Sequence, residues 1–202
     1  MDKKFYKNLA EYSKYNSQSD LKNICFLALF DSYERVRKIT GISKLYENDV
    51  RNRFIIDLTQ NNKIIENALK YDHIILIPES YDPLKRSKSD IRFIITHICE
   101  LVFECKKLSS AEKRYLNDGL IRFIELKYAE KENDGGMIGF VVSPNFIETV
   151  YKLKKKVVSF HIIKLIDKHV LNYKYSFQSL HKRKNSTSIL ISHLFFNFSE
   201  GN

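Results

Sequence analysis

The sequence has no tryptophan, six glycines, three prolines and three cysteines. Cys25, Cys99 and Cys105 form an odd set without CxxC spacing, which argues against both a disulfide framework and a zinc site. A reducing, cytoplasmic setting is the expectation. A glycine-rich phosphate loop, a GxSxG elbow and an HExxH helix are all missing, which sets aside P-loop nucleotide hydrolysis, serine acyl transfer and zinc proteolysis. The opening MDKKFYKNLAEYSKYN carries charge but lacks the apolar centre of a secretion signal. The longest apolar runs, such as NICFLALF, are too short to span a bilayer, so no membrane partner is expected.

Positive charge is abundant. Lys and Arg number 34 against 24 Asp and Glu, leaving a net charge of +10. Such an excess creates a long-range field that draws polyanions. A Lys-, Asn- and Ile-rich chain can also arise from nucleotide bias in a genome, so basicity alone supports nucleic acid without establishing it. Hydrophobic residues make up 44% and charged residues 29% of the 202 positions, an ordinary globular balance compatible with one domain and a sizeable core.

Periodicity gives a coarse order of elements. LKNICFLALFDSYERVRKI, capped by Ser19 or Asp20 and stopped by Gly41, predicts a helix apolar over most of its circumference and therefore buried. In KLYENDVRNRFIIDLTQ, Tyr46, Val50, Phe54 and Leu58 recur every four residues and predict a second helix with one packed face; Glu47 sits on its flank, aimed inward. HIILIPE reads as a buried strand, YDPLKRSK as a basic turn, and DIRFIIT and LVFECKKL as two further strands. A helix is then predicted over SSAEKRYLNDGLIRFIELKY, a strand over MIGFVVS, a long basic helix from Pro144 and Asn145 through FIETVYKLKKKVVSFHIIKLIDKHVL, and a final strand over SILISHLFFNF. The implied fold class is α/β, a mixed central sheet flanked by helices. The expected division is a single domain over 1–202, with an N-terminal helical extension over 1–42, a core over 43–171 and a C-terminal basic segment and strand over 172–202.

The stretch SKSDIRFIITHICELVFECKKLSS carries the candidate chemistry. Side chains alternate along a strand, so Leu101, Phe103 and Cys105 share one face and Val102, Glu104 and Lys106 the other. If the hairpin turn centres near Ile98, residues whose numbers sum to about 196 lie opposite one another. Asp90 then falls across from Lys106 and diagonal to Glu104, within ~8 Å. A half-residue shift of that centre would reverse the parity and turn Asp90 away. Two carboxylates beside a lysine suit a hard divalent ion, Mg²⁺ or its substitute Mn²⁺, which takes carboxylate oxygens, keeps waters and leaves room for a phosphate. Cys105 would offer such an ion only its backbone carbonyl. An Asp capping a turn and a Glu–Lys pair on a solvated strand face make the plainer alternative.

At these residues the sequence resembles the PD-(D/E)xK, restriction endonuclease-like, nuclease superfamily. Asp90 matches the first acid, Glu104-Cys105-Lys106 the ExK half, and Glu47 the additional helix carboxylate many members carry; Ser89 stands where the signature has proline. The order of elements from about Ser43 to Leu171 is also similar. The combination VFECKKL, YLNDGLIRFIELKYA and GGMIGFVV resembles small bacterial members, some linked to mobile elements and phage defence. The resemblance implies a restriction endonuclease-like core and Mg²⁺-dependent hydrolysis of DNA phosphodiesters. Asp90 and Glu104 would be metal ligands, Lys106 the water-activating or phosphate-stabilising group, and Glu47 a second-metal or supporting carboxylate. The alternatives are an inactive nucleic-acid-holding subunit of a larger complex and a ribonuclease toxin.

Other residues are candidates for nucleic-acid contact. Tyr115 and Arg122, seven apart on a predicted helix, would share a face, with Arg122 able to reach a phosphate; a surface ion pair is the commoner use. His181, Lys182 and Arg183 form a basic cluster, as does YKLKKK; such clusters are usually solvated, yet both are candidates for contact with the DNA backbone. His97 and His193 have no partner at ligand spacing and read as structural. No separate sequence-reading domain is visible, which leaves specificity or activation to a regulatory partner protein or to homodimerisation.

Overall fold

The computed structural model describes residues 18–70, 74–78, 81–82, 87–88 and 90–199. The Tyr-rich leader, residues 83–86 of the YDPLKRSK turn and Ser89 lie outside them. The chain is α/β: a seven-stranded mixed sheet with helices on both faces. Helices α1 (Gln18–Val36), α2 (Glu47–Gln60) and α3 (Lys63–Lys70) come first. Strands β1 (Ile74–Pro78), β4 (Ile91–Ile95) and β5 (Cys99–Leu108) follow as an antiparallel meander, interrupted by a small ribbon of β2 (Tyr81–Asp82) and β3 (Ser87–Lys88). A π-helical turn (Tyr115–Leu120) leads into α4 (Ile121–Ile124) and then β6 (Asp134–Val141), which pairs parallel to β5. Helix α5 (Phe146–Val158), β7 (Ile162–Ile166), β8 (Ser176–Lys182) and β9 (Ser188–Asn197) complete the sheet in the order β1-β4-β5-β6-β9-β8-β7.

Alternation sorts the sheet residues into two cores. Ile91, Phe93, Leu101, Phe103, Cys105, Ile138, Phe140, Leu194 and Phe196 face α1, α2 and α3. On this side the α2 positions expected inward, Val50, Phe54 and Leu58, are all buried, and the Phe54 ring meets Phe140 and Phe196 at 5.5 and 5.6 Å. Burial of side chains of this size stabilises by roughly 1.5–3 kcal/mol each. Val102, Met137, Val141, Phe177, Ile189, Ile191 and Phe195 face the π-turn, α4 and α5. Helix α1 and strand β9 pack into the same cores as the segment 43–171.

Several elements differ from expectation for identifiable reasons. Tyr46 precedes the first turn of α2 instead of joining its packed face and is 84% exposed. β1 is an edge strand, so it is only partly buried. The long basic helix ends at Val158; the β-branched run HIIKLI prefers extended backbone and becomes edge strand β7. The tract after Asn172, expected to be irregular, contains β8, whose Phe177, Ser179 and His181 alternate inward.

The helix expected over 109–128 shrinks to the π-turn and α4. A π-turn carries more residues per revolution than an α-helix, so Tyr115 and Arg122 lose their common face. Tyr115 is fully buried, whereas Arg122 reaches Glu104 on β5.

Candidate active site

The hairpin of β4 and β5 pairs Ile91 with Phe103 and Ile95 with Cys99. Its centre therefore lies at His97, one residue before the expected position, where a positive φ of 61° makes the turn. Parity is unchanged. Continued by one step, the register sets Asp90 directly opposite Glu104, not Lys106, and on the same face as both.

β4 ends at Ile91 while β5 runs on to Leu108, held on its other side by β6 from Phe103 to Leu108. The last part of β5 thus has an open edge. N–H and C=O of one residue point to the same edge, so Cys105 and Lys107 present their backbone groups there. Asp90 Oδ2 accepts the Cys105 N–H at 2.7 Å, and Glu47 Oε2 accepts the Lys107 N–H at 2.8 Å. Side-chain carboxylates continue what the missing strand would have supplied. The carbonyl of Cys105 faces the same edge by this alternation.

Asp90, Glu104 and Lys106 are all buried, at 5, 1 and 8% exposure. Lys106 Nζ donates to Glu104 Oε1 at 2.5 Å, and Arg122 approaches that same oxygen at 3.2 Å. The other oxygen, Glu104 Oε2, is buried without a hydrogen-bond partner. Burial and then the Asp90 charge raise the Glu104 carboxyl to about 7, against the pull of Lys106 and Arg122. Asp90 Oδ1 takes a 2.7 Å ion pair from Arg51 on α2. Each carboxylate therefore has one oxygen fixed by β5 itself, through Cys105 N–H or Lys106 Nζ; the second oxygen of Asp90 is held by Arg51, and that of Glu104 is unpartnered. Gly119 of the π-turn covers this point: a Cβ there would lie 3.7 Å from Glu104 Cγ and 2.5 Å from Met137 Cε.

Asp90, Glu104 and the Cys105 carbonyl offer oxygen donors of the kind a hard divalent cation takes; Glu104 Oε2 is buried and unpartnered, while both Asp90 oxygens are engaged, by Arg51 and the Cys105 N–H. Glu47 stands apart. Its carboxylate sits on the Lys107 N–H and pairs with Arg114 at 3.2 Å. Among the described residues no group of three or more His, Cys, Asp or Glu side chains is arranged to hold a metal.

The other candidates divide sharply. Arg122 joins the site through Glu104 and also donates to the Tyr128 hydroxyl. Lys182 is exposed. Arg183 is not a surface cation: it is 4% exposed, and its guanidinium holds the carbonyls of Ala129, Glu130 and Glu132, clamping that loop.

His181, placed by sequence in the same basic cluster, is fully buried. It belongs to a chain in which the Tyr115 hydroxyl meets His193 Nδ1 at 2.9 Å, His193 Nε2 meets Ser179 Oγ at 2.7 Å, Ser179 Oγ meets His181 Nε2 at 2.6 Å, and His181 Nδ1 meets the Phe160 carbonyl at 3.0 Å. A carbonyl only accepts, so His181 Nδ1 carries hydrogen. Its Nε2 then accepts from Ser179, Ser179 accepts from His193 Nε2–H, and Tyr115 donates to His193 Nδ1. Every donor is matched with both histidines neutral, and burial depresses both, His181 to about 4. The inward Phe-x-Ser-x-His alternation of β8 was the available signal for this chain.

The chain matches no protein-family model, no curated protein and no solved structure. Among the described residues no helix is long and apolar enough to cross a membrane.

Proposed function

We propose that the protein is a metal-dependent endonuclease with a restriction endonuclease-like core that hydrolyses phosphodiester bonds of DNA. The observation that carries this reading is the Asp90/Glu104 pair at the open edge of β5, with Lys106 on one Glu104 oxygen and no partner on the other. The order helix, three antiparallel strands, helix, parallel strand agrees with the resemblance noted in the sequence. Asp90, Glu104 and the Cys105 carbonyl would hold Mg²⁺ or Mn²⁺. The ion supplies charge neutralisation at the phosphate and a more acidic water. Glu104, whose carboxyl is raised to about 7, would have to be ionised to serve as a ligand, so its affinity for a cation would rise with pH. Lys106 offsets negative charge on the phosphate or orients the attacking water. Glu47 fixes the strand edge and Arg114. Two-strand cleavage by one site per chain favours a homodimer, and the effector of a bacterial anti-phage system, acting with a specificity partner, is the biological setting we favour.

Purified protein with Mg²⁺ should nick or break plasmid DNA, and Glu104→Ala and Lys106→Ala should abolish this while circular dichroism stays native. Cleavage surviving both changes removes the assignment. The rival, an inactive nucleic-acid-holding subunit, draws on the capture of both Asp90 oxygens by Arg51 and the Cys105 N–H. Calorimetric titration with Mn²⁺ in the presence of a hydrolysis-resistant DNA duplex separates the two, since a scaffold has no need to bind the ion.

A further inference from the structure

The acids at the open edge of β5 are each met by an arginine from a different part of the chain. Arg51, on α2, pairs with Asp90; Arg122, on α4, with Glu104; Arg114, before the π-turn, with Glu47. The first two close on the edge from opposite faces of the sheet. With Lys106 also on Glu104, three cations, Arg51, Arg122 and Lys106, face two carboxylates, so positive charge already exceeds negative there. A divalent cation added alone would leave an excess of positive charge in a poorly hydrated pocket, which is unfavourable. A phosphodiester arriving with it removes one unit of that excess and offers the displaced guanidiniums a new anionic partner.

The side-chain contacts show how the exchange can occur without rearranging the site. Asp90 keeps its Oδ2 bond to the Cys105 N–H when Oδ1 changes partner, and Glu104 keeps Lys106 when Arg122 leaves. Arg51 and Arg122 meet these acids at 2.7 and 3.2 Å; Arg51 is largely buried, whereas Arg122, which also donates to the Tyr128 hydroxyl, is about one third exposed. A guanidinium released from a carboxylate presents the same planar donors to phosphate oxygens.

Resting on the nuclease reading above, we infer that Arg51 and Arg122 stand in for the cation at Asp90 and Glu104 until substrate arrives, and then hold the phosphate, so that divalent cation and phosphodiester bind as a unit. Chain without DNA binds the ion weakly, which limits idle hydrolysis. By linkage, the ion must strengthen DNA binding by the same factor by which DNA strengthens ion binding.

The test is calorimetric titration of Mn²⁺, alone and with a short phosphorothioate DNA duplex that resists hydrolysis, into wild type, Arg51→Gln and Arg51→Lys, with cooperative thermal unfolding monitored for each. Wild type should bind Mn²⁺ at least about tenfold more tightly with the duplex than without. Arg51→Gln should bind Mn²⁺ alone about tenfold more tightly than wild type and lose most of the gain from the duplex. Arg51→Lys, which retains the charge, should bind Mn²⁺ alone nearly as weakly as wild type and shows whether packing or charge is responsible. Unchanged or weaker Mn²⁺ binding by a folded Arg51→Gln overturns the inference and leaves the nuclease reading standing. No Mn²⁺ binding in any protein, with or without duplex, overturns both.

Discussion

Glu104→Gln should change how stability depends on pH more than it changes stability itself. Glu104 is buried beside Asp90, and its carboxyl lies at about 7 against an ordinary value of 4.5. Between these values the folded protein keeps a proton that the unfolded chain releases, so stability falls as pH rises through the window. The difference corresponds to about 3 kcal/mol at pH 8 relative to pH 4, at 1.36 kcal/mol per pH unit. Glutamine does not titrate. The ion pairs of the ionised glutamate with Lys106 and Arg122 are already contained in its raised value, so they add no separate pH dependence. Urea denaturation of both proteins from pH 4 to 8, in chelator to remove divalent ions, gives the difference curve, in which titrations common to both cancel. It should climb in favour of the variant by about 3 kcal/mol, centred between pH 4.5 and 7. Parallel curves would refute the premise that Glu104 is a strained, desolvated carboxyl awaiting a cation.

Further outcomes follow from other contacts. The histidines of the buried chain act with the opposite sign: His181 titrates near 4 when folded against 6.5 when unfolded, so acidification from 6.5 towards 4 should remove about 3 kcal/mol, a loss that His181→Phe measured by the same denaturation series should abolish. Gly136→Ala would place a Cβ 2.1 Å from the Phe103 ring, which should lower stability by about 3 kcal/mol and be partly relieved by Phe103→Leu in thermal melts. Arg183→Ala should leave DNA affinity at low salt almost unchanged while exposing the 129–132 loop to faster amide exchange, because its guanidinium holds that loop's carbonyls.

What sequence could and could not reveal follows from how local each feature is. Strand alternation placed Glu104 and Lys106 on one face, and Asp90 stayed with them although the turn centre moved by one residue, because a whole-residue shift preserves parity. The four-residue period of Val50, Phe54 and Leu58 needed only α2 itself. Features set by distant partners were missed. Nothing local says that β5 outruns β4, which is what makes Asp90 and Glu47 bond to its edge. The basic neighbours Lys182 and Arg183 made His181 look solvated, while its place depends on His193 across the β8–β9 pair. The π-turn displaced Tyr115 from Arg122 because an α-helical period was assumed where Gly119 packs over Met137 and Glu104.

The central claim is that Asp90 and Glu104 form one cation seat at the open end of β5. Anomalous diffraction from crystals of the protein grown with a hydrolysis-resistant DNA duplex and soaked in Mn²⁺ tests it most directly. A peak between the two carboxylates, against Glu104 Oε2 and the Cys105 carbonyl, is the predicted result. Strong Mn²⁺ peaks elsewhere with none at this pair, at concentrations that load other carboxylates, would contradict it.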